Sequence, residues 1–332
     1  MKIDFVIPWV DGNDPIWQKE KAKYDLNENL PERNGACRYR DWENLKYWFR
    51  SVEENSPWVN QIHFITCGQL PEFLNINHPK IHFVRHEDYI PSIYLPTFSA
   101  NPIELNLHRI EGLSEYFVYF NDDFFINRPL NEDFFFKKGK PRYFMCDRDY
   151  NEACLTNSYQ HMRRNGMAVI NRHFSHRTQR KSGMNKIASV LYGKVSIKNL
   201  IYSFTRDAFG QFNDLHLPEP FLKSTLQEVW NEEYDILDAT CRNRIRTEKD
   251  VNQYVFRYWD LARGNFEPRS IQGIRYDVTS ENLEECTMNI RHAISPTICI
   301  NDSPHCDDFD TCKEQILRAF EERYPHKSSF EN

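Results

Sequence analysis

Short apolar runs alternate with amphipathic segments through the first 145 residues. The runs have the length of buried strands, and Leu45, Trp48, Phe49 and Val52 recur at helical spacing between two of them. Strands that alternate with helices are typical of α/β proteins with a largely parallel sheet. The predicted strands cover residues 3–10, 62–67, 81–84 and 116–120, and the predicted helices cover residues 41–56 and the segment after an Asn101 N-cap with Pro102 at N1.

The second half of the chain is predicted to be mainly helical. Apolar residues at helical spacing indicate one helix over residues 218–234 and another that Thr247 opens. Thr311 and Glu314 form a capping-box pattern ahead of a last helix through Tyr324. We expect one α/β domain made of residues 1–146 and 207–332, with residues 147–206 as a basic inserted segment.

Composition excludes several classes of protein. No apolar run approaches the length of a membrane-spanning helix, and Lys2 leads into the first strand without a signal-peptide pattern. We therefore expect a soluble, cytoplasmic protein. The 11 glycines are too widely spaced for a dinucleotide-binding GxGxxG motif or a Walker A loop. Any phosphate must therefore be bound by metal, Arg, Lys or helix N-termini.

Charge is distributed unevenly along the chain. The net charge is −6, which argues against a nucleic-acid partner. Residues 155–206 nevertheless carry ten Lys or Arg and no Asp or Glu. This stretch is either a solvated face or a docking surface for an anionic polymer or for the inner face of the plasma membrane.

The nine cysteines form no CxxC pair, which disfavours zinc ribbons and thioredoxin chemistry. Reduced thiols are the simpler interpretation. A loose metal site built from Cys299, Cys306 and Cys312 with His305 is the alternative, although its spacing fits no standard zinc pattern.

Asp122 and Asp123 follow a predicted strand directly. In open α/β sheets ligands collect at the carboxyl ends of strands. Adjacent carboxylates there suit Mg²⁺ or Mn²⁺, which bind few protein carboxylates and leave room for substrate phosphates. An acidic turn that merely closes the strand is the alternative.

Glu104, His216 and Arg246 carry polar groups near predicted helix starts. Glu104, His108 and Glu111 recur as a polar stripe, which is either a solvated helix face or part of the same site. His216 and Arg246 each precede a predicted helix, where anions bind readily. Taken singly each is more often structural. Together with the carboxylate pair they indicate phosphoryl transfer, which mainly needs positioning and charge neutralisation.

Four ordered blocks of this sequence resemble the Stealth family. These are the capsular and exopolysaccharide phosphotransferases, and they include the catalytic part of the animal lysosomal-enzyme N-acetylglucosamine-1-phosphotransferase. The animal members have Asn where Asp11 stands. The matching blocks cover residues 3–15 (IDFVIPWVDGNDP), the segments 38–41, 57–59, 95–99, 108–113 and 119–123 of a second block, residues 216–250, and residues 299–302 paired with 320–331.

The resemblance implies a glycosyltransferase-A-like Rossmann-type fold and a divalent metal, Mg²⁺ or Mn²⁺. It implies transfer of a sugar-1-phosphate from a nucleotide sugar, typically a UDP-hexosamine, to a hydroxyl of a glycan acceptor, with release of UMP. The family's active-site positions fall on Glu104, Asp123, His216 and Arg246, and Asp122 would join Asp123 at the metal. Substrate binding is expected from Trp9, Asp11, Gly12, Asp14, Arg38, Asp41, His108 and Arg109.

Two other functions are compatible with the sequence. An ordinary metal-dependent glycosyltransferase would release UDP because it breaks the C1–O bond. A non-catalytic saccharide-binding protein would show no turnover with any acceptor.

Overall fold

A computed structural model describes residues 1–24, 40–150, 155 and 157–332. Thirteen strands lie in these residues. They are β1 (Ile3–Pro8), β2 (Ile62–Thr66), β3 (Ile81–Arg85), β4 (Tyr116–Tyr119), β5 (Phe124–Ile126), β6 (Phe136–Lys137), β7 (Lys140–Tyr143), β8 (Asp147–Arg148), β9 (Gln211–Phe212), β10 (Glu219–Leu222), β11 (Glu267–Pro268), β12 (Gly273–Asp277) and β13 (Thr297–Asn301).

Thirteen α-helices and four short 3₁₀ turns connect the strands in the described residues. The helices are α1 (Pro15–Ala22), α2 (Leu45–Asn55), α3 (His86–Tyr89), α4 (Ala100–Leu105), α5 (Ser158–His173), α6 (His176–Arg180), α7 (Met184–Ile187), α8 (Val195–Thr205), α9 (Lys223–Glu232), α10 (Tyr234–Cys241), α11 (Tyr254–Arg263), α12 (Leu283–His292) and α13 (Phe309–Arg323). The 3₁₀ turns are Ser92–Tyr94, Leu107–Arg109, Glu132–Phe134 and Val190–Tyr192.

The central sheet has the strand order β10-β4-β1-β2-β3. Strands β4, β1, β2 and β3 run parallel, and β10 closes one edge as an antiparallel strand. Strands β2 and β3 are added on one side of β1, and β4 is then added on the other side of β1. The strand order therefore reverses between β1 and β4, which is where open α/β sheets bind ligands. The prediction of a mixed α/β fold with a parallel sheet at its core is confirmed, and its glycosyltransferase-A-like character stays a prediction.

Side chains of the central strands alternate between two hydrophobic layers. On β1, Phe5 and Ile7 join the layer that contains α2, α12 and α13, while Val6 joins the layer that contains α5 and α9 to α11. On β4, Phe117 and Val118 divide in the same way. This alternation with period two buries both faces of the sheet, as expected when helices cover both sides.

The second half of the chain contains more strand than its sequence predicts. β12 and β13 run parallel, and β13 pairs with β5 in the antiparallel direction to complete a three-stranded sheet. β11, β7 and β6 form another small sheet, and β8 pairs with β9. The expectation of a helical second half is therefore wrong in part.

The helix predicted over residues 218–234 is wrong at its start. Residues Glu219–Leu222 form β10, which pairs with β4 in the register Phe221 to Phe117, and the helix begins at Lys223. All four strand residues are buried, so the segment lacks the alternating polar side that distinguishes a strand in sequence.

Three helix starts also differ from their predicted positions. Ser99, and not Asn101, caps α4 by accepting a hydrogen bond from the Asn101 amide. Asp308 caps α13 by accepting from the Thr311 amide, so the last helix starts before the predicted capping box. Thr247 does not open a helix, because residues 247–250 form a turn and α11 begins at Tyr254. In each case a nearby Ser or Asp makes the competing cap or turn.

The basic stretch 155–206 is not only a solvated face. Its first helix, α5, buries Met167 and Ile170 in the same hydrophobic layer as Val255 and Tyr258 of α11. Arg163 pairs with Asp214 outside the stretch at 2.5 Å. The proposed division of the chain into a domain and an inserted segment stays a prediction, but α5 shares a core with the residues around it.

Candidate active site

A cleft opens at the carboxyl ends of β1 and β4, the point where the strand order reverses. It has a volume of ≈ 790 Å³. Trp9 follows β1 and Asn121, Asp122 and Asp123 follow β4, and all four line this main cleft. Strand pairing forces this arrangement, because β1 and β4 are adjacent and parallel and their last residues must lie at the same edge.

Carboxylates crowd one wall of the main cleft. The side chain of Asp122 is open to the cleft but surrounded by protein, and this desolvation, followed by the negative charge of Asp123, raises its pKa to about 7. Asp41 also lines the cleft, and desolvation raises its pKa as well. Because each carboxylate disfavours ionisation of its neighbour, the cluster favours a bound cation.

Asp123 lies at the centre of a cluster with His216 and Cys299. The His216 Nε2 atom is 3.6 Å from Asp123 Oδ2, and the Cys299 thiol donates a hydrogen bond to the same oxygen at 3.2 Å. One ligand atom from each of the three residues lies within 4.8 Å of the others. Within the described ranges this is the one group of three or more His, Cys, Asp or Glu with that spacing.

Of this cluster, the carboxylate and not the imidazole or the thiol suits a hard divalent cation. The second carboxylate oxygen of Asp123, Oδ1, is buried and accepts no hydrogen bond from any described residue. Buried polar atoms are normally satisfied, so this oxygen is suited to a ligand. Mg²⁺ and Mn²⁺ prefer carboxylate oxygens. Burial raises the pKa of the Cys299 thiol, which therefore acts as a neutral donor that orients Asp123 and not as a thiolate ligand.

His216 is held by local geometry that the sequence does not predict. It precedes β10 and not a helix, so the expected helix N-terminus at this position is absent from the structure. Its backbone has φ of 53°, in the left-handed region that a non-glycine residue adopts only when its surroundings enforce it. The Tyr254 hydroxyl lies 3.4 Å from Nδ1, and the Phe124 ring meets the imidazole edge-on at 4.9 Å.

Arg246 reaches the main cleft from the loop between α10 and α11. It does not precede a helix, so a helix N-terminus cannot supply the positive field that its position in sequence suggests. The loop is instead fixed by Asp250, which accepts hydrogen bonds from Asn101, Asn243 and Thr247. Among the described residues no carboxylate forms an ion pair with Arg246, and its guanidinium is available to an anionic ligand.

Glu104 is placed behind the wall of the cleft. Its exposed fraction is 7%, and it lies near the end of the short helix α4, not at the helix start that was expected. Burial raises its pKa, while the Tyr119 hydroxyl, which donates to it at 2.9 Å, and the charges of Arg246 and His216 oppose that rise. Glu104 therefore interacts electrostatically with the two basic groups of the cleft.

The other residues predicted to bind substrate are divided among several places. Trp9 and Asp41 line the main cleft. Asp14 caps α1 and accepts a hydrogen bond from Gln69, which also bonds to the backbone of Asp11. The Gly12 carbonyl accepts from Gln18. Asp11, Gly12 and Asp14 thus form a turn held by hydrogen bonds and do not line the main cleft, and Arg38 lies outside the described residues.

His108 and Arg109 are not brought to the cleft. They belong to a 3₁₀ turn after α4, so Glu104, His108 and Glu111 do not share one continuous helix. His108 and Arg109 both pack against Trp230 of α9, with the Arg109 guanidinium 5.0 Å from the ring centroid. Burial and the neighbouring charge of Arg109 lower the pKa of His108 to about 3. These two residues support the packing of α9.

Several cleft residues were missed by sequence reasoning. Arg40 forms a two-pronged ion pair with Asp302, and both line the cleft. Arg275 on β12 and Tyr159 on α5 also line the cleft. Asp302 belongs to a block that carries the Stealth resemblance, which is the signal that could have found it. No motif or helix-start pattern in the sequence marks Arg275 or Tyr159 as a site residue.

A smaller cavity of ≈ 200 Å³ adjoins the main cleft and is called the side pocket here. It shares Trp9, Asn121, Asp122 and Arg246 with the main cleft. Its remaining walls include aromatic rings and the start of α4. The site therefore has a charged compartment and an aromatic compartment that meet at Arg246.

The cysteine site suggested by sequence does not form. Cys299 lies on β13 and contacts Asp123, while Cys306 and Cys312 lie close to each other. Neither Cys306 nor Cys312 joins a group of three or more metal-binding side chains in the part of the chain that the structure describes. The described cysteines are free thiols.

Comparison with known proteins gives consistent matches along the chain. The model of Stealth protein conserved region 1 matches residues 1–28, and that of conserved region 2 matches residues 38–143. A glycosyltransferase structure, the apo form of the bifunctional WbbM enzyme, is similar with a TM-score of 0.36 and 9% identity over 97% of this chain and 52% of its own. That score is too low to carry an argument about the fold.

Relatives of known function match at nearly full length. The capsular polysaccharide phosphotransferase WcwK of Streptococcus pneumoniae is 42% identical over 99% of this chain and 98% of its own. The receptor polysaccharide phosphotransferase WefC of Streptococcus gordonii is 39% identical over 99% of each chain. The exopolysaccharide phosphotransferase cps2G of Lactiplantibacillus plantarum is 34% identical over 99% of this chain and 96% of its own. The chain therefore belongs to the Stealth family and is an enzyme of the phosphotransferase type.

Proposed function

We propose that this enzyme transfers a sugar-1-phosphate from a nucleotide sugar, UDP-linked, to a hydroxyl of a glycan acceptor in capsular or exopolysaccharide synthesis. The acceptor oxygen forms a bond to the β-phosphorus, and the bond between that phosphorus and the bridging oxygen breaks. UMP leaves with the electron pair, and the product is a phosphodiester. The convergence of Asp123, His216 and Arg246 at one cleft is the observation that carries this proposal.

His216 is the proposed general base. Its Nε2 faces the cleft beside Asp123 at 3.6 Å, and Tyr254 at Nδ1 fixes the plane of the ring. Imidazole is the side chain that most often serves as a general base in enzymes. When Nε2 takes the proton of the acceptor hydroxyl, the Asp123 carboxylate stabilises the imidazolium.

Arg246 is the proposed ligand of the transferring phosphoryl group. Its guanidinium lines both cavities and has no carboxylate partner among the described residues. Arg binds phosphate oxygens through paired hydrogen bonds, and a cation placed there offsets charge that develops in the transition state. Glu104 acts behind it as a positioning residue, because its buried carboxylate interacts with Arg246 and His216.

Mg²⁺ or Mn²⁺ is the proposed cofactor, held by Asp123 and Asp122. The unsatisfied Oδ1 of Asp123 and the crowding of carboxylates support this assignment. When bound, such a cation neutralises charge on the pyrophosphate. The side pocket, with Trp9 beside Arg246, is suited to a planar nucleoside, whereas the larger main cleft has room for the acceptor.

The proposal is tested by identifying the nucleotide product. The purified enzyme is incubated with a panel of UDP-sugars, Mg²⁺ or Mn²⁺ and short glycan acceptors, and the nucleotides are separated by chromatography. UMP is the expected product, and UDP would contradict the proposal. His216→Ala should remove turnover, whereas His326→Ala, which changes an exposed histidine elsewhere, should leave it intact.

A further inference from the structure

Helix α8 presents large apolar side chains to solvent. Ile197 and Phe204 are each 65% exposed and Ile201 is 52% exposed. The preceding 3₁₀ turn adds Val190 at 89% and Leu191 at 45%. Scattered exposed apolar residues are normal, but a contiguous apolar patch marks an interaction surface.

The apolar residues of α8 form one stripe opposite its buried side. Asn199 and Ser203 are buried, and Asn199 donates a hydrogen bond to the carbonyl of Met145. At 3.6 residues per turn, Ile197, Ile201 and Phe204 fall together on the opposite side of the helix. The helix is therefore anchored by polar contacts and exposes its apolar stripe.

Basic side chains lie beside the stripe, and two others of this region, Lys198 and Arg206, pair with Asp149. Lys194 is exposed at the start of α8, and Arg177 and Lys181 are exposed on and after α6, which packs on α8. The Arg180 guanidinium lies 5.0 Å from the centre of the Phe204 ring. No acidic residue occurs between positions 155 and 206. An apolar stripe flanked by Lys and Arg is the pattern of a helix that lies in the interface of an anionic membrane.

We propose that α8 and the Val190–Tyr192 turn dock this enzyme on the surface of an anionic phospholipid bilayer. The charge pattern disfavours a second copy of the chain as the occupant, because a symmetric pair would bring two basic surfaces together. No described helix has the length and apolar character needed to cross a bilayer. The side chains of Ile197, Ile201 and Phe204 enter the interface, and the surrounding Lys and Arg contact lipid phosphates. This inference does not depend on the proposed reaction.

Vesicle co-sedimentation of the full chain tests the proposal. Vesicles of phosphatidylcholine alone are compared with vesicles that also contain phosphatidylglycerol. The wild-type protein should sediment with the anionic vesicles and be released by high salt. Ile201→Ser/Phe204→Ser should lower the partition coefficient roughly tenfold or more, because apolar area no longer enters the interface. Ile294→Ser, at an exposed apolar residue elsewhere, should match the wild type.

Charge variants provide a second measurement if the double variant folds poorly. Lys181→Glu/Lys194→Glu should weaken binding to anionic vesicles and flatten its dependence on salt. Failure of the wild-type protein to bind anionic vesicles would overturn the proposal, as would equal binding by all variants. A dimer in solution that Ile201→Ser/Phe204→Ser dissociates, without vesicle binding, would assign the surface to a second copy instead.

Discussion

Carboxylates at the two ends of the central sheet have pKa values that are shifted in opposite directions. At the amino end, Asp4 on β1 is fully buried and accepts hydrogen bonds from His63, Asn60 and the Ser114 amide. Burial alone would raise the pKa of Asp4, but these hydrogen bonds outweigh it and lower the pKa. At the carboxyl end, desolvation and the charge of Asp123 raise the pKa of Asp122 to about 7.

The pKa values differ because the carboxylates at the two ends receive different numbers of hydrogen bonds. Asp4 has the donors that an ionised carboxylate needs, so the fold itself stabilises it. Asp122 accepts from neighbouring backbone amides and Asp123 Oδ2 accepts from Cys299, but Asp123 Oδ1 has no donor among the described residues. Unsatisfied charge that persists at the ligand-binding edge of a sheet indicates a site completed by a ligand.

Substitution of Asp123 should have the largest effect on activity. It should lower activity without lowering stability, unlike a substitution at the amino end of the sheet. Asp123→Asn should lower kcat roughly a thousandfold, the scale of a lost electrostatic contribution to the transition state. The free energy of unfolding should change little. Asp133→Asn, at an exposed acid outside the cleft, is the matched control. Steady-state kinetics and urea unfolding check both parts, and near-normal kcat would contradict the role given to Asp123.

Arg246 provides the next largest expected effect. Arg246→Ala should lower kcat/KM about a hundredfold, because one charged phosphate contact is lost. Arg246→Lys keeps the charge but not the paired hydrogen bonds, so it should fall between the wild type and Arg246→Ala. Arg244→Ala, two residues away, is the control. If Arg246→Ala and Arg244→Ala have the same kinetics, Arg246 does not contact the substrate.

At the amino end, substitution of Asp4 should change stability and not chemistry. Asp4→Asn should lower the free energy of unfolding by about 1–3 kcal/mol at neutral pH, because buried donors lose their charged acceptor. Since the pKa of Asp4 in the folded protein lies below the ordinary value of an aspartic acid, this advantage is present above that ordinary value and disappears as the pH falls through the folded pKa. Urea unfolding of both proteins across this range measures it. A stability difference that stays constant as the pH falls well below the ordinary pKa of an aspartic acid would show that Asp4 is not stabilised as a carboxylate.

The apolar stripe of α8 should give the smallest effect on stability. Ile201→Ser should change the free energy of unfolding by no more than about 0.5 kcal/mol, because the side chain is exposed. Ile170→Ala, at a fully buried residue of α5 in the same basic stretch, should cost about 2–4 kcal/mol. Thermal unfolding of the two variants compares them. A large loss in Ile201→Ser would mean that the stripe packs within the fold.

Much of the first half could be predicted because its signals are local. Apolar periodicity and Pro57 define α2, and short apolar runs define β1 to β4. The edge strand β10 could not be separated from a helix, because all four of its residues are buried and no exposed polar side alternates with a buried one. The strand order follows from pairing between distant segments, which no local pattern contains.

The structure brings three of the predicted catalytic residues to one cleft, but not through the helix N-termini that the sequence suggested, and their catalytic roles stay a prediction. Asp123 and His216 do converge, and Arg246 lines the same cleft, although neither basic residue precedes a helix. Cys299 reaches Asp123 across 176 positions, and Arg40 reaches Asp302 across 262. Contacts of this range come from the sheet topology and cannot be deduced from spacing.

Tracing the β-phosphorus of the donor is the most direct test of the central claim. The enzyme is incubated with a UDP-sugar that carries labelled phosphorus at the β position, a divalent cation and a glycan acceptor. The account predicts that the label appears in the acceptor as a phosphodiester while unlabelled UMP is released. Label that remains with the nucleotide as UDP, with an unphosphorylated glycoside as product, would contradict it.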